Sequence, residues 1–214
     1  MADPTDLADL THLAEEIKGC TACELYRDAT QAVPGRGVPT ARLMLVGEQP
    51  GDREDVEGEP FVGPAGHLLD KALADAELER EQVYLTNVVK HFRFARQGKR
   101  RLHKAPAVRH VQACAPWLVS ELETVAPDGV VLLGGTAGKA LYGPSFRVGE
   151  LRGRLGEWPR DRFPLGELGE PGEPPWVLAT AHPSAVLRER GDREAAYQAL
   201  VADLKAAAAA LSGH

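Results

Sequence analysis

Leu43-Met-Leu-Val-Gly-Glu-Gln-Pro-Gly-Asp-Arg-Glu-Asp-Val-Glu-Gly-Glu-Pro-Phe-Val-Gly-Pro-Ala-Gly-His-Leu-Leu69 is the stretch whose reading decides the fold. Leu43 to Val46 is a short apolar run, which suits a buried strand. Leu68, Leu69, Ala72, Leu73 and Ala76 recur at helical spacing, so a helix is predicted to begin near Gly63 to Ala65. Between them lies an acidic loop punctuated by glycine and proline. Strand, loop and helix in that order put the loop at the carboxyl end of a strand, where open α/β sheets bind ligands.

The rest of the chain repeats the alternation. Val83–Val89, Val130–Leu133 and Trp176–Ala179 read as further strands. Helices are expected over residues 6–18, from near Pro106 through Leu122, over Gly134–Leu141, and from Ala196 to Leu211. Residues 93–104 are basic, broken by Gly98, and read as a loop. Residues 143–175 read as a long excursion with one short strand near Arg147 to Gly153. The expectation is an α/β fold: a three-layer α/β/α sandwich around a mainly parallel four-stranded sheet, with residues 1–214 as a single domain.

A chain of 214 residues is long enough to bury a core. No run approaches the ~18 apolar residues of a membrane span, and the acidic N-terminus lacks a signal-peptide pattern. A cytoplasmic protein without a membrane partner is therefore expected, and the chain is read as a monomer. The net charge of −6 argues against coating nucleic acid non-specifically but leaves room for a local basic face.

Several constellations could carry chemistry. Cys20-x-x-Cys23 with Cys114 and His91 is a donor set that zinc accepts, and one in which His91 is a variant fourth ligand for a [4Fe–4S] cluster. Lys99-Arg100-Arg101-Leu102-His103-Lys104 admits three readings: a solvated charge run, a localisation signal, or a phosphate contact. His103 among cations should stay neutral, and a neutral imidazole is a competent nucleophile or base. Asn87 and His182 stand at strand ends. Gly134-Gly-Thr-Ala-Gly-Lys139 fails as a phosphate loop, because Leu133 and Ala140 occupy the diagnostic positions, and reads instead as a helix start packed on the sheet.

Gly47-Glu-Gln-Pro-Gly51, Pro60-Phe-Val-Gly-Pro-Ala-Gly66, Thr86-Asn-Val-Val-Lys90 and His182-Pro-Ser184 together resemble the iron–sulfur uracil-DNA glycosylases. Gln49, the inserted Lys99–His103 segment and His91 in place of a cluster cysteine resemble family X, the UdgX-type proteins, more than family 4. The resemblance implies excision of uracil from DNA, single-stranded or double-stranded, followed by covalent attachment of His103 to C1′ of the abasic site. It implies that Phe61 stacks on uracil, Asn87 reads its edge, the backbone at Gln49 helps hold it, and His182 stabilises its developing charge. Glu48 would orient or deprotonate His103, Gln49 would fix the basic segment, and Asp52 would position water or support the sugar cation. Lys99, Arg100, Arg101, Lys104 and Ser184 would contact DNA. Cys20, Cys23, His91 and Cys114 would hold a structural [4Fe–4S] cluster. The competing readings are a turnover glycosylase, a binding module with a degenerate pocket, and a zinc-stabilised interaction protein.

Overall fold

A computed structural model describes residues 4–159 and 174–213. Four strands form a parallel core: β1 (Leu43–Gly47), β2 (Val83–Asn87), β5 (Gly129–Leu133) and β7 (Trp176–Thr180). Between β2 and β5 in the chain lies a separate two-stranded ribbon, β3 (Phe94–Gln97) and β4 (Arg100–His103). The central sheet runs β2-β1-β5-β7-β6, where β6 (Leu155–Gly156) pairs antiparallel with β7. The sheet therefore has five strands where the sequence led us to expect four. The extra one is two exposed residues long and leaves no apolar signal.

Strand residues alternate between two cores, because successive side chains point to opposite faces. Met44, Val46, Val130, Leu132, Val177 and Ala179 face one layer, packed by α4 (Val108–Val125) and α5 (Gly135–Tyr142). Leu43, Leu45, Val83, Leu85, Val131, Leu133 and Leu178 face the other, packed by α3 (Pro64–Asp75), α7 (Pro183–Arg188) and α8 (Arg193–Ser212). Burial on both faces is why these strands read as continuous apolar runs. The N-terminal α1 (Pro4–Lys18) leans on α4 through Leu13, Ile17 and Trp117.

Three local expectations are corrected. The acidic loop contains a helix, α2 (Asp52–Glu57). Residues 93–104 form the β3–β4 hairpin, turned by Gly98 at φ 58°, and not an irregular loop. The strand anticipated near Arg147 to Gly153 is instead a helix, α6 (Val148–Leu151), and the strand comes after it at β6. Residues 160–173 of that excursion lie outside the described residues.

Because β1 is flanked by β2 on one side and β5 on the other, connections leave it in opposite directions. That makes the carboxyl ends of β1 and β5 the topological switch point, where such sheets leave a crevice. No described helix is long and apolar enough to cross a membrane.

Candidate active site

A cavity of about 780 Å³ opens at this crevice. Each parallel strand delivers one side chain to it: Glu48 just after β1, Asn87 at the end of β2, Thr136 after β5, and His182 after β7. Phe61, from the turn before α3, and His103, from the end of β4, complete the wall.

The register explains how two of these meet. Gly47 lies opposite Asn87. A Cβ on Gly47 would come within 2.4 Å of Asn87 Oδ1 and 2.7 Å of Phe61 Cζ, so only glycine lets both side chains close over the strand end. Phe61 is buried and holds φ at 58°, a conformation that costs a non-glycine residue energy and clusters at functional sites. Its ring lies 6.3 Å from that of His182, inclined by 28°.

His182 caps α7 with its own side chain. The Ser184 backbone N–H donates to Nδ1 at 3.1 Å, and Ser184 Oγ lies 2.8 Å from the same nitrogen. Nδ1 is thus an acceptor, and the ring proton belongs on Nε2. Burial pushes the ring down to about 4, outweighing the opposing pull of Glu48, so it is neutral near pH 7.

Glu48 is shared by two partners. Thr136 Oγ1 donates to Oε2, and Oε1 lies 3.2 Å from His103 Nε2. Burial works against its charge, but the hydrogen bonds from His103 and Thr136 outweigh it and hold the carboxyl below its ordinary value. His103 is half exposed, and its ring lies 6.1 Å from that of buried Phe92.

The hairpin is fastened by residues far away in sequence. Gln49 Nε2 donates to the carbonyls of Arg93 and Lys104, both at 3.1 Å, while Gln49 Oε1 accepts from the Arg93 N–H at 3.2 Å. One amide therefore clamps the two strands together at the open end of the ribbon. Arg101 turns inward, pairing with Asp52 and buried Asp55 beneath the rings of Phe92 and Phe94. Lys99, Arg100 and Lys104 remain exposed. Of the other acids, Glu54 accepts from the Gly63 N–H and Asp55 from Thr30 N and Oγ1, so both are structural acceptors rather than solvated charges.

Cys20, Cys23 and Cys114 are all free thiols. Cys114 beside it holds the Cys23 thiol below its ordinary pKa, while Cys23 and burial push Cys114 up, and the Lys90 backbone lies against Cys114. Trp117 Nε1 donates to Cys20 Sγ at 3.1 Å. His91, next to Lys90, is buried, and its Nδ1 has no hydrogen-bond partner among the described residues. Among the described residues no three His, Cys, Asp or Glu side chains converge on a point as around a single ion. Soft thiol donors and an orphaned imidazole nitrogen nonetheless fit a larger cluster.

Sequence reasoning missed Thr136 and Gly47. The Gly134-Gly135-Thr136 turn was visible as a helix start, but its pairing with Glu48 spans 88 positions and has no local signature.

Comparison with known proteins gives concordant matches. The family described as the uracil DNA glycosylase superfamily matches residues 34–205. The chain is similar to a protein named Type-4 uracil-DNA glycosylase from Sulfurisphaera tokodaii, at 36% identity over 83% of this chain and 76% of that protein. It is 36% identical to a protein of the same name from Thermotoga maritima, over 84% of each. A third, from Pyrobaculum aerophilum, is 38% identical over 85% of this chain and 86% of its own length.

Proposed function

Since the chain belongs to the uracil DNA glycosylase superfamily, we propose that it excises uracil from DNA and then captures the abasic sugar through a covalent bond to His103. The observation that carries the second half is the His103–Glu48 pair, 3.2 Å apart on the wall of the cavity that also holds Phe61, Asn87 and His182.

A stacked base cannot reach such a cavity, so the nucleotide is flipped out, at least cost from a single strand. Phe61 offers its ring face. The Asn87 amide offers one donor and one acceptor edge, matching O4 and N3–H of uracil; cytosine presents the reverse pattern. As the C1′–N1 bond breaks, its electron pair leaves on the base. The neutral His182 ring donates its Nε2–H to that growing negative charge, which favours the transition state over the ground state. Asp52 lines the same wall with its carboxylate paired to Arg101, so its part is to hold the hairpin beside the sugar.

The sugar cation is then open to water or to imidazole. A ring held beside C1′ has a large effective-concentration advantage. The ring nitrogen of His103 turned away from Glu48 closes its lone pair on C1′, and the resulting imidazolium loses its N–H proton to Glu48. The uracil anion takes a proton from water. Lys99, Arg100 and Lys104 face outward to meet phosphates, which position the strand without reading it. Arg101 and Ser184 act behind that surface, through the hairpin and the His182 ring. Cys20, Cys23, His91 and Cys114 would hold a [4Fe–4S] cluster, whose chemistry here is structural.

Incubation with a uracil-containing oligonucleotide tests the reading. The expected result is free uracil plus a protein–DNA band that survives heat and denaturant, and, for His103→Ser, free uracil and abasic DNA without the band. Repeated turnover by the unaltered protein with no band would leave only a turnover glycosylase.

A further inference from the structure

We propose that Thr136 is a positioning residue that aims Glu48 at His103 and so decides how much of the abasic sugar is captured by the protein rather than by water. The inference rests on the capture reading above.

The geometry begins at the switch point of the sheet. Glu48 leaves the end of β1, and Thr136 stands in the first turn of α5, which follows β5, the strand beside it. A carboxylate after a strand rotates freely about its side-chain bonds unless something fixes it. Here the Thr136 hydroxyl takes Oε2, which leaves Oε1 as the oxygen directed at His103 Nε2. The two bonds occupy opposite oxygens of one planar group, so fixing one aims the other. Both residues line the cavity.

The turn that presents Thr136 is itself immobilised. The Gly134 N–H donates to the Thr180 carbonyl at 2.9 Å, tying the start of α5 to the end of β7. Gly134 adopts φ 91° and lies so close to His182 that a Cβ there would meet the His182 Cβ at 2.9 Å. The hydroxyl is thus held in register with the residue that acts on the base. One rigid turn connects the group proposed to stabilise the leaving uracil with the group that orients the nucleophile's proton acceptor. The pKa of Glu48, held below its ordinary value, agrees with two donors converging on the carboxylate.

The chemistry follows. At the moment of capture the His103 ring must deliver its lone pair to C1′ while passing its other proton to Glu48. A carboxylate free to turn loses that alignment, the ring dwells less often in the reactive pose, and water takes a larger share of the same cation. Because the Thr136 hydroxyl is committed to Glu48 and acts through it, its signature is the partition between two products.

The test is a single-turnover reaction of the full-length protein with a uracil oligonucleotide, measuring free uracil and covalent adduct in the same sample. Thr136→Val keeps shape and removes the donor; Thr136→Ala removes it without the branched methyls; Thr136→Ser restores it. Adduct formed per uracil released should fall about tenfold in the Val and Ala variants, the scale of one hydrogen bond to a charged group, and return with Ser. An unchanged ratio in either variant lacking the hydroxyl, or no recovery with Ser, overturns the proposal. So does a loss of uracil release that carries the adduct down in proportion, since that would assign the hydroxyl to excision. Absence of adduct from the unaltered protein would instead overturn the capture reading itself.

Discussion

His182 shows how one residue's protonation is set by its neighbours. The Ser184 N–H occupies Nδ1, and burial holds the ring's pKa at about 4. In the unfolded chain the same ring titrates near 6.5. As pH falls from about 6.5 towards about 4, the unfolded state takes up a proton that the folded ring refuses, so stability is lost across that window and is unaffected by this group above it. His182→Asn, which keeps an acceptor for Ser184, should therefore lose less Tm between about pH 7 and about pH 5 than the unaltered protein. Equal losses in a thermal melt would disprove the assignment. His182 and Asn87 could be singled out in the sequence because each ends an apolar run. Thr136 could not, since a threonine behind two glycines looks like any helix start and its partner lies across the sheet.

At the scale of the element, the β3–β4 hairpin carries the nucleophile but does not hold itself in place. Isolated two-stranded ribbons are marginal in water, and this one is held by Gln49 at its base and by Asp52 and Asp55 gripping Arg101. Gln49→Ala removes three hydrogen bonds and takes the side-chain partner from the Arg93 N–H and the Lys104 carbonyl, at a cost of about 1–3 kcal/mol. Hydrogen exchange over Phe94–His103 should accelerate and adduct yield should fall, while β1 and β5 keep their protection. Unaltered hairpin exchange would show that the clamp is idle. The hairpin was hidden in the sequence for a physical reason. Its inward face is Arg101 and His103 against Phe92 and Phe94, so alternation runs between cations and aromatic rings rather than apolar and polar residues, and the pairing carboxylates come from α2.

Across the whole molecule, the parallel core was legible because doubly buried strands must be apolar throughout, whereas β6 and the six-residue α7 are too short to register. Beneath the sheet's end lies a fully buried ion pair, Lys90 with Glu121, in which Lys90 Nζ also donates to Thr86 Oγ1 and the Asn87 carbonyl. Lys90 thus links the strand end that holds Asn87 to its neighbours His91 and Cys114. In the proposed reading the cluster ties α4, the segment before β3 and the Cys20–Cys23 segment together. Purified protein should then contain iron and acid-labile sulfide, and stripping them should lower Tm and expose the three thiols to alkylation. Protein with neither, melting unchanged in chelator, would remove the cluster from the account. The four parallel strand ends make a pocket on a rigid frame, and the hairpin is an attachment to it. That separation has a consequence for transplantation. Moving residues 93–104 alone into a related enzyme would carry the imidazole without its moorings. Gln49, Asp52, Asp55 and Thr136 sit outside the graft, in the loop and helices that follow the host's own strands, and a recipient lacking them would receive an untethered ribbon and an unaimed carboxylate.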